Sequence, residues 1–209
     1  NHLATSLPGT GKIQINQQTN YPWDGHVKLQ IASLSGKKDF TINVRIPGWC
    51  QNADILINGK SAGIKVASGT YAKINRKWNK GDSITLNMNM PATLVEANPL
   101  AEEIRGQIAV QRGPVVYCLE SKDLKSSDKI DNIAIPVNSH FTPEMIKIAG
   151  STMVALDCEA NNYNEKSWAH TLYRPVTPEN EKVNIRLIPY YAWGNRGKGE
   201  MTVWLPIAK

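Results

Sequence analysis

Ser83-Ile84-Thr85-Leu86-Asn87-Met88-Asn89-Met90 alternates polar and apolar residues without a break, and Pro91 ends it. Period two over eight residues is the pattern of a strand with one face buried, here Ile84, Leu86, Met88 and Met90. Phe40 to Ile46 repeats the pattern, with Phe40, Ile42, Val44 and Ile46 on one side and Thr41, Asn43 and Arg45 on the other. His26 to Leu34 places Val27, Leu29 and Ile31 together. Ala53 to Ile57 runs into Asn58-Gly59, the dipeptide of a type I′ hairpin turn, in which both central residues need positive φ. Gly11 to Gln17 reads as the first strand, Thr19 to Gly25 and Trp78 to Asp82 as turns, and Tyr71 to Ile74 as a short strand. No stretch shows a period of 3.6 residues, so helix is expected to be scarce.

Beyond Pro91, Thr93 to Pro99 reads as a passage between modules. Strands are then expected around Ile108 and Val110 and over Val115 to Leu119, Ile133 to Val137, Ile146 to Ile148, Met153 to Cys158, Thr171 to Val176 and Val183 to Ile188. Val115 to Leu119 is apolar without alternation, which implies cover on both faces. Ser121 to Asp131 and Asn161 to His170 are polar and read as exposed loops, the second carrying Trp168; Phe141 to Glu144, with Pro143, reads as one helical or 3₁₀ turn. Ile188 to Pro206 (I-P-Y-Y-A-W-G-N-R-G-K-G-E-M-T-V-W-L-P) has two apolar arms around a glycine-rich tip. The arms are expected to pair with each other or with the strands over Ile108 to Leu119. Many short strands with turns between them argue an all-β chain of two antiparallel β-sandwich, jelly-roll-like modules, with little helix. The expected modules are residues 1–95 and 96–209, meeting near residues 93 to 104.

At 209 residues, either one large β domain or two smaller ones can bury a core without disulfides or metals. The 24 basic and 18 acidic residues give a net charge of +6, but the basic residues are scattered. No recognition helix or RNA-binding signature accompanies them, so neither nucleic acid nor a membrane is an expected partner. The N-terminal Asn1 to Gly11 lacks a basic and apolar leader pattern, and the compartment stays open between periplasmic or secreted and cytoplasmic. Cys50, Cys118 and Cys158 are odd in number and far apart, with neither disulfide-framework nor zinc-site spacing. They read as small buried hydrophobes. The four histidines sit in unrelated contexts, and no hydrolase, phosphate-loop or metalloprotease motif occurs.

Two local compositions suit a sugar, whose apolar faces stack on aromatic rings while polar tips bind its hydroxyls. One is Tyr21-Pro22-Trp23-Asp24; the other is Trp193-Gly194-Asn195-Arg196. Trp23, Asp24, Trp193, Asn195 and Arg196 are therefore the candidate glycan contacts. The structural alternative is that these rings close the ends of sandwiches or pack on a neighbouring domain.

Several strings together identify a relative: Gln18 to Gly25, Arg45-Ile46-Pro47-Gly48-Trp49-Cys50, Ile57-Asn58-Gly59, Trp78 to Asp82, Gln111 to Glu120, Ile188 to Arg196 and Gly199 to Trp204. They run in the same order in glycoside hydrolase family 127, the β-L-arabinofuranosidase-like proteins, and the chain resembles the C-terminal part of that family. The resemblance implies an N-terminal helical barrel in the same polypeptide, bearing a catalytic cysteine, a zinc-binding Cys/Glu cluster and an acid/base glutamate. None of those motifs is in this chain. The implied role is a non-catalytic accessory region with no cofactor or metal of its own. It would pack on the barrel through an apolar patch, support the active site or a homodimer, or alternatively bind arabinose-containing glycans.

Overall fold

A computed structural model describes residues 2–7, 11–36, 38–125, 128–163, 168, 171–175 and 181–208. Strands take 55% of the chain, and among the described residues no helix reaches seven residues, so the fold is all-β with several sheets. Contacts divide it into two compact units, Asn1–Pro91 and Ala92–Lys209.

The first unit holds β1 (His2–Leu7), β2 (Gly11–Thr19), β3 (His26–Leu34), β4 (Asp39–Arg45), β5 (Ala53–Ile57), β6 (Lys60–Ser61), β7 (Tyr71–Lys77) and β8 (Ser83–Met88). Six of them form one sheet in the order β1-β2-β3-β8-β5-β6, and β4 pairs with β7 as a separate ribbon. Alternation decides which residues meet between the layers. Ile84, Leu86, Met88 and Met90 are all buried, as are Val44, Ile46, Ile55, Ala72 and Ile74. β1 is an addition to the expected strands. It pairs with β2 over six residues, but its sequence, H-L-A-T-S-L, alternates too weakly to announce it.

Trp78 sits at the centre of this core and is fully buried. Its indole N–H donates to the Phe40 carbonyl at 3.0 Å, which removes the cost of burying a polar tip. The Phe40 ring lies 6.2 Å away and the Arg76 guanidinium 5.1 Å from the Trp78 ring centre. The turn that follows is tied by Asp82. Its carboxylate accepts from the Asn79 N–H and the Asn58 side-chain amide, both at 2.8 Å, with Arg76 at 3.7 Å. Asn58 and Gly59 have φ of 51° and 78°, the type I′ geometry expected of the dipeptide, and Ile57 pairs with Lys60 across them. Gly25 is required for a different reason: a Cβ there would lie 1.9 Å from the Met88 carbonyl oxygen.

The second unit holds β9 (Ala92–Glu96), β10 (Gln107–Arg112), β11 (Val115–Glu120), β12 (Ile133–Pro136), β13 (Thr142–Ile148), β14 (Ser151–Asn162), β15 (Glu181–Pro189), β16 (Met201–Thr202) and β17 (Leu205–Ala208). The pairing runs from β10 through β11, β15, β14, β12 and β17 and returns to β10. The closure works because one edge of β10 is shared. Gln107 and Ile108 pair with β17, and Val110 to Arg112 pair with β11. A closed path leaves few free edges, the standing liability of a sheet. β12 and β17 are parallel; every other recorded pair is antiparallel. Val110, Tyr117, Leu119, Ile133, Ile135, Leu156, Leu187 and Leu205 are each almost completely buried.

Four expectations change here. The stretch over Thr93 to Pro99 is no passage, because β9 pairs with β10 from Ala92↔Arg112 to Glu96↔Ile108. Phe141 to Glu144 is not a helical turn, because Thr142 opens β13. Pro143 is tolerated there because β13 pairs only with β14. Residues 171–175 form no strand, and Val176 lies outside the described residues. The loop expected over Asn161 to His170 begins later, since Asn161 and Asn162 end β14; most of the remainder lies outside the described residues.

Replacing Trp78 by Ala removes the largest buried side chain of the first unit. The expected loss is about 3–5 kcal/mol of stability, read as a lowered urea midpoint for that unit.

Candidate functional site

In the second unit the arms of Ile188 to Pro206 do not pair with each other. They flank β11 instead. Cys118 pairs with Ile188 and Leu119 with Leu187 on one side, while Leu119 pairs with Thr202 and Glu120 with Met201 on the other. The chain between the arms therefore passes around the end of β11, where Glu120 is only 4% exposed. A buried carboxylate needs compensating donors. Glu120 Oε1 accepts the Gly194 N–H at 2.8 Å, and Oε2 accepts Arg196 Nε at 2.7 Å and Arg196 Nη2. Asp123 takes the rest of the guanidinium, at 2.8 Å from Nη1 and 2.5 Å from Nη2. Lys122 donates to the Arg196 carbonyl, and Ser121 and Glu200 exchange two hydrogen bonds at 3.0 Å.

This changes the reading of the tip. Arg196 spends its guanidinium on two carboxylates, and Asn195 donates its side-chain amide to the Ala192 carbonyl at 3.1 Å. The large exposed side chains are Tyr190 (45%) and Tyr191 (60%) of the preceding 3₁₀ turn and Trp193 (45%) just after it.

In the first unit Trp23 is half-buried, and its backbone N–H donates to the Asn20 carbonyl at 2.8 Å. Asp24 Oδ1 accepts the His26 N–H at 2.9 Å and so holds the turn. The five sequence candidates fall in different units, Trp23 and Asp24 in the first and the other three in the second. Beside the first turn is a cleft of about 520 Å³. Its floor is Val27, Leu29, Leu86 and Met88, its rim Tyr21, Gln17, Thr19, Asn43 and Arg45. Tyr21 is stacked on Trp49, with ring centres 6.4 Å apart and planes 20° apart. Sequence reasoning missed most of this rim because it is assembled from β2, the turn after it and β4. The available signal was the pair of motifs around Tyr21 and Arg45.

Nucleophile and metal chemistry find little here. Cys118 and Cys158 are buried, and burial pushes both thiols up to about 12; Glu120 and Asp157 respectively add to the effect. Burial also raises the Cys50 thiol, which points at the Asn52 carbonyl at 3.2 Å. Among the described residues no three His, Cys, Asp or Glu side chains converge as metal ligands. A second cavity of about 520 Å³ is lined by His140, Asp157, Glu159 and Arg186, but Arg186 is bound at 2.7 and 2.6 Å to Asp157 and also to Glu144.

Comparison with known proteins decides the family. The glycoside hydrolase family 127 C-terminal domain matches residues 92–206, and the β-L-arabinofuranosidase GH127 middle domain matches residues 2–90. The chain belongs to glycoside hydrolase family 127. Its family 127 relatives include the non-reducing end β-L-arabinofuranosidase of Bifidobacterium longum subsp. longum, 30% identical over 97% of this chain and 32% of that protein. A solved glycoside hydrolase superposes with a TM-score of 0.91 at 48% identity, over 100% of this chain and 34% of the other. A GH127 β-L-arabinofuranosidase from Geobacillus stearothermophilus T6 gives 0.88 at 38% identity, over 99% of this chain and 32% of the other. The chain thus spans about a third of the length of these relatives.

Two outcomes follow. The folded protein is expected not to react with a thiol reagent at pH 8, and to expose three reactive thiols when unfolded, counted by absorbance. Because the folded pKa values of Cys118 and Cys158 lie above the reference 9.0, their contribution to stability is intact below pH 9 and is lost as pH rises towards 12.

Proposed function

We propose that this chain is the non-catalytic β region of a β-L-arabinofuranosidase-like glycoside hydrolase, organised as two sandwich modules. It packs against a helical catalytic barrel elsewhere in the same polypeptide, supports one rim of that active site and contributes to a dimer. The observation that carries this reading is the match of the whole chain to about one third of enzymes named β-L-arabinofuranosidase. Two features of the chain agree with it. Its thiols are buried and protonated, and the carboxylates Glu120, Asp123 and Asp157 are committed to arginines. The exposed rings of Tyr190, Tyr191 and Trp193 suit a protein contact, since Tyr and Trp are enriched where interfaces are well packed.

Two assays test the proposal. This chain alone, with or without zinc, is expected to show no hydrolysis of an aryl β-L-arabinofuranoside, whereas the full-length polypeptide hydrolyses it. Turnover by this chain alone, or none by the full-length polypeptide, contradicts the reading. The chain alone is also expected to self-associate at high concentration through its uncovered apolar surface, seen by light scattering.

A further inference from the structure

The cleft of the first unit opens beside Tyr21, against the edge of the core cluster. Its inner wall is the face of the large sheet, where Val27, Leu29, Leu86 and Met88 present an apolar floor. Its outer wall is β4, which pairs only with β7 and so has one free edge. Tyr21 is 39% exposed and fixed against Trp49, so a flat ring is held at the mouth without losing further freedom on binding.

The polar rim is also available. Arg45 is exposed; it gives Nη1 to the Gly69 carbonyl at 2.9 Å, and one face of its guanidinium lies 5.3 Å from the Tyr71 ring centre, which holds the group in place at the rim. The Asn43 side-chain amide makes no hydrogen bond among the described residues, and Asn43 is exposed. Thr19 both donates to the His26 carbonyl at 2.7 Å and accepts the Tyr21 N–H at 3.0 Å, so it fixes the mouth rather than reaching outward. No carboxylate lines the cleft.

An apolar floor, one oriented ring, a planar guanidinium and a carboxamide are the groups that hold a neutral polyol with one C–H face and several hydroxyls. The volume of about 520 Å³ lies in the range of small-ligand sites and admits a short oligosaccharide. We infer that this cleft is a glycan-binding subsite for arabinofuranosyl units, with Tyr21 as the stacking ring and Asn43 and Arg45 as hydroxyl partners. The choice of sugar rests on the proposed function above; the chemistry of the cleft itself asks only for a neutral sugar. Trp23 and Asp24 then act as the turn that sets Tyr21, not as contacts.

The test is a methyl NMR titration of this chain with an arabinofuranosyl oligosaccharide and, separately, a xylo-oligosaccharide. The arabinofuranosyl ligand is expected to shift the methyls of Val27, Leu29, Leu86 and Met88 at millimolar concentration. Tyr21→Leu and Asn43→Ala should each weaken binding roughly tenfold, and Trp193→Ala should leave it unchanged. Asn43→Ala touches no recorded hydrogen bond, so it keeps the test valid if Tyr21→Leu unfolds. No shift at those methyls, or shifts indifferent to both variants, overturns the subsite. So do shifts confined to the xylo-oligosaccharide, or shifts that vanish in the full-length polypeptide because its other parts cover the cleft. Hydrolysis of the aryl arabinofuranoside by the full-length polypeptide, measured alongside, separates the two ideas. Hydrolysis without methyl shifts removes the subsite alone, and loss of both removes the proposed function as well.

Discussion

A carboxylate buried at the end of a strand must be answered by a cation, and Glu120 is answered by Arg196 from 76 residues further along the chain. That single requirement organises the second unit. To bring Arg196 to Glu120 the chain must leave β15, turn around the end of β11 and come back on its opposite side as β16. Asp123 adds a second carboxylate, so two negative charges share one planar guanidinium in forked geometry. The Gly194 N–H and the Ser121–Glu200 exchange fasten the rest of the turn. The most recognisable string in the sequence is therefore a fastening, and its exposed product is the aromatic turn of Tyr190, Tyr191 and Trp193.

The first unit depends on an apolar anchor instead. Trp78 joins the β4–β7 ribbon to the six-stranded sheet, with its only polar atom satisfied by Phe40. Asp82 and Asn58 then link the turn after Trp78 to the β5–β6 hairpin through side-chain hydrogen bonds. Both units thus commit their polar side chains to holding strands in register. The cleft beside Tyr21 carries the exposed side chains of Asn43 and Arg45 on its rim.

Local physics made much of the fold legible. β3, β5 and β8 follow from period-two alternation, and the Asn58-Gly59 turn from the need for positive φ at two successive residues. The same rule failed where partners are distant. β9 looks like a linker because only its pairing with β10 makes it a strand, and the start of β13 hides behind Pro143, which an edge strand accepts, while its end over Ile146 to Ile148 is legible. The site was less legible than the fold. Trp193, Asn195 and Arg196 were recognisable as a cluster, but nothing local says that Arg196 turns inward. Its partners Glu120 and Asp123 lie in a different stretch that reads as strand end and loop. The cleft was legible only at Tyr21, because Gln17, Asn43 and Arg45 meet through sheet packing rather than sequence spacing.

The second unit depends on Arg196 as a structural fastening, held by Glu120 and Asp123. A double-mutant cycle between Glu120 and Arg196, read by denaturant unfolding of the second unit, tests that claim directly. Glu120→Gln and Arg196→Met should each destabilise it, and the double variant should lose clearly less than the sum, with a coupling of about 2 kcal/mol. Additive losses agreeing within about 0.5 kcal/mol would contradict it.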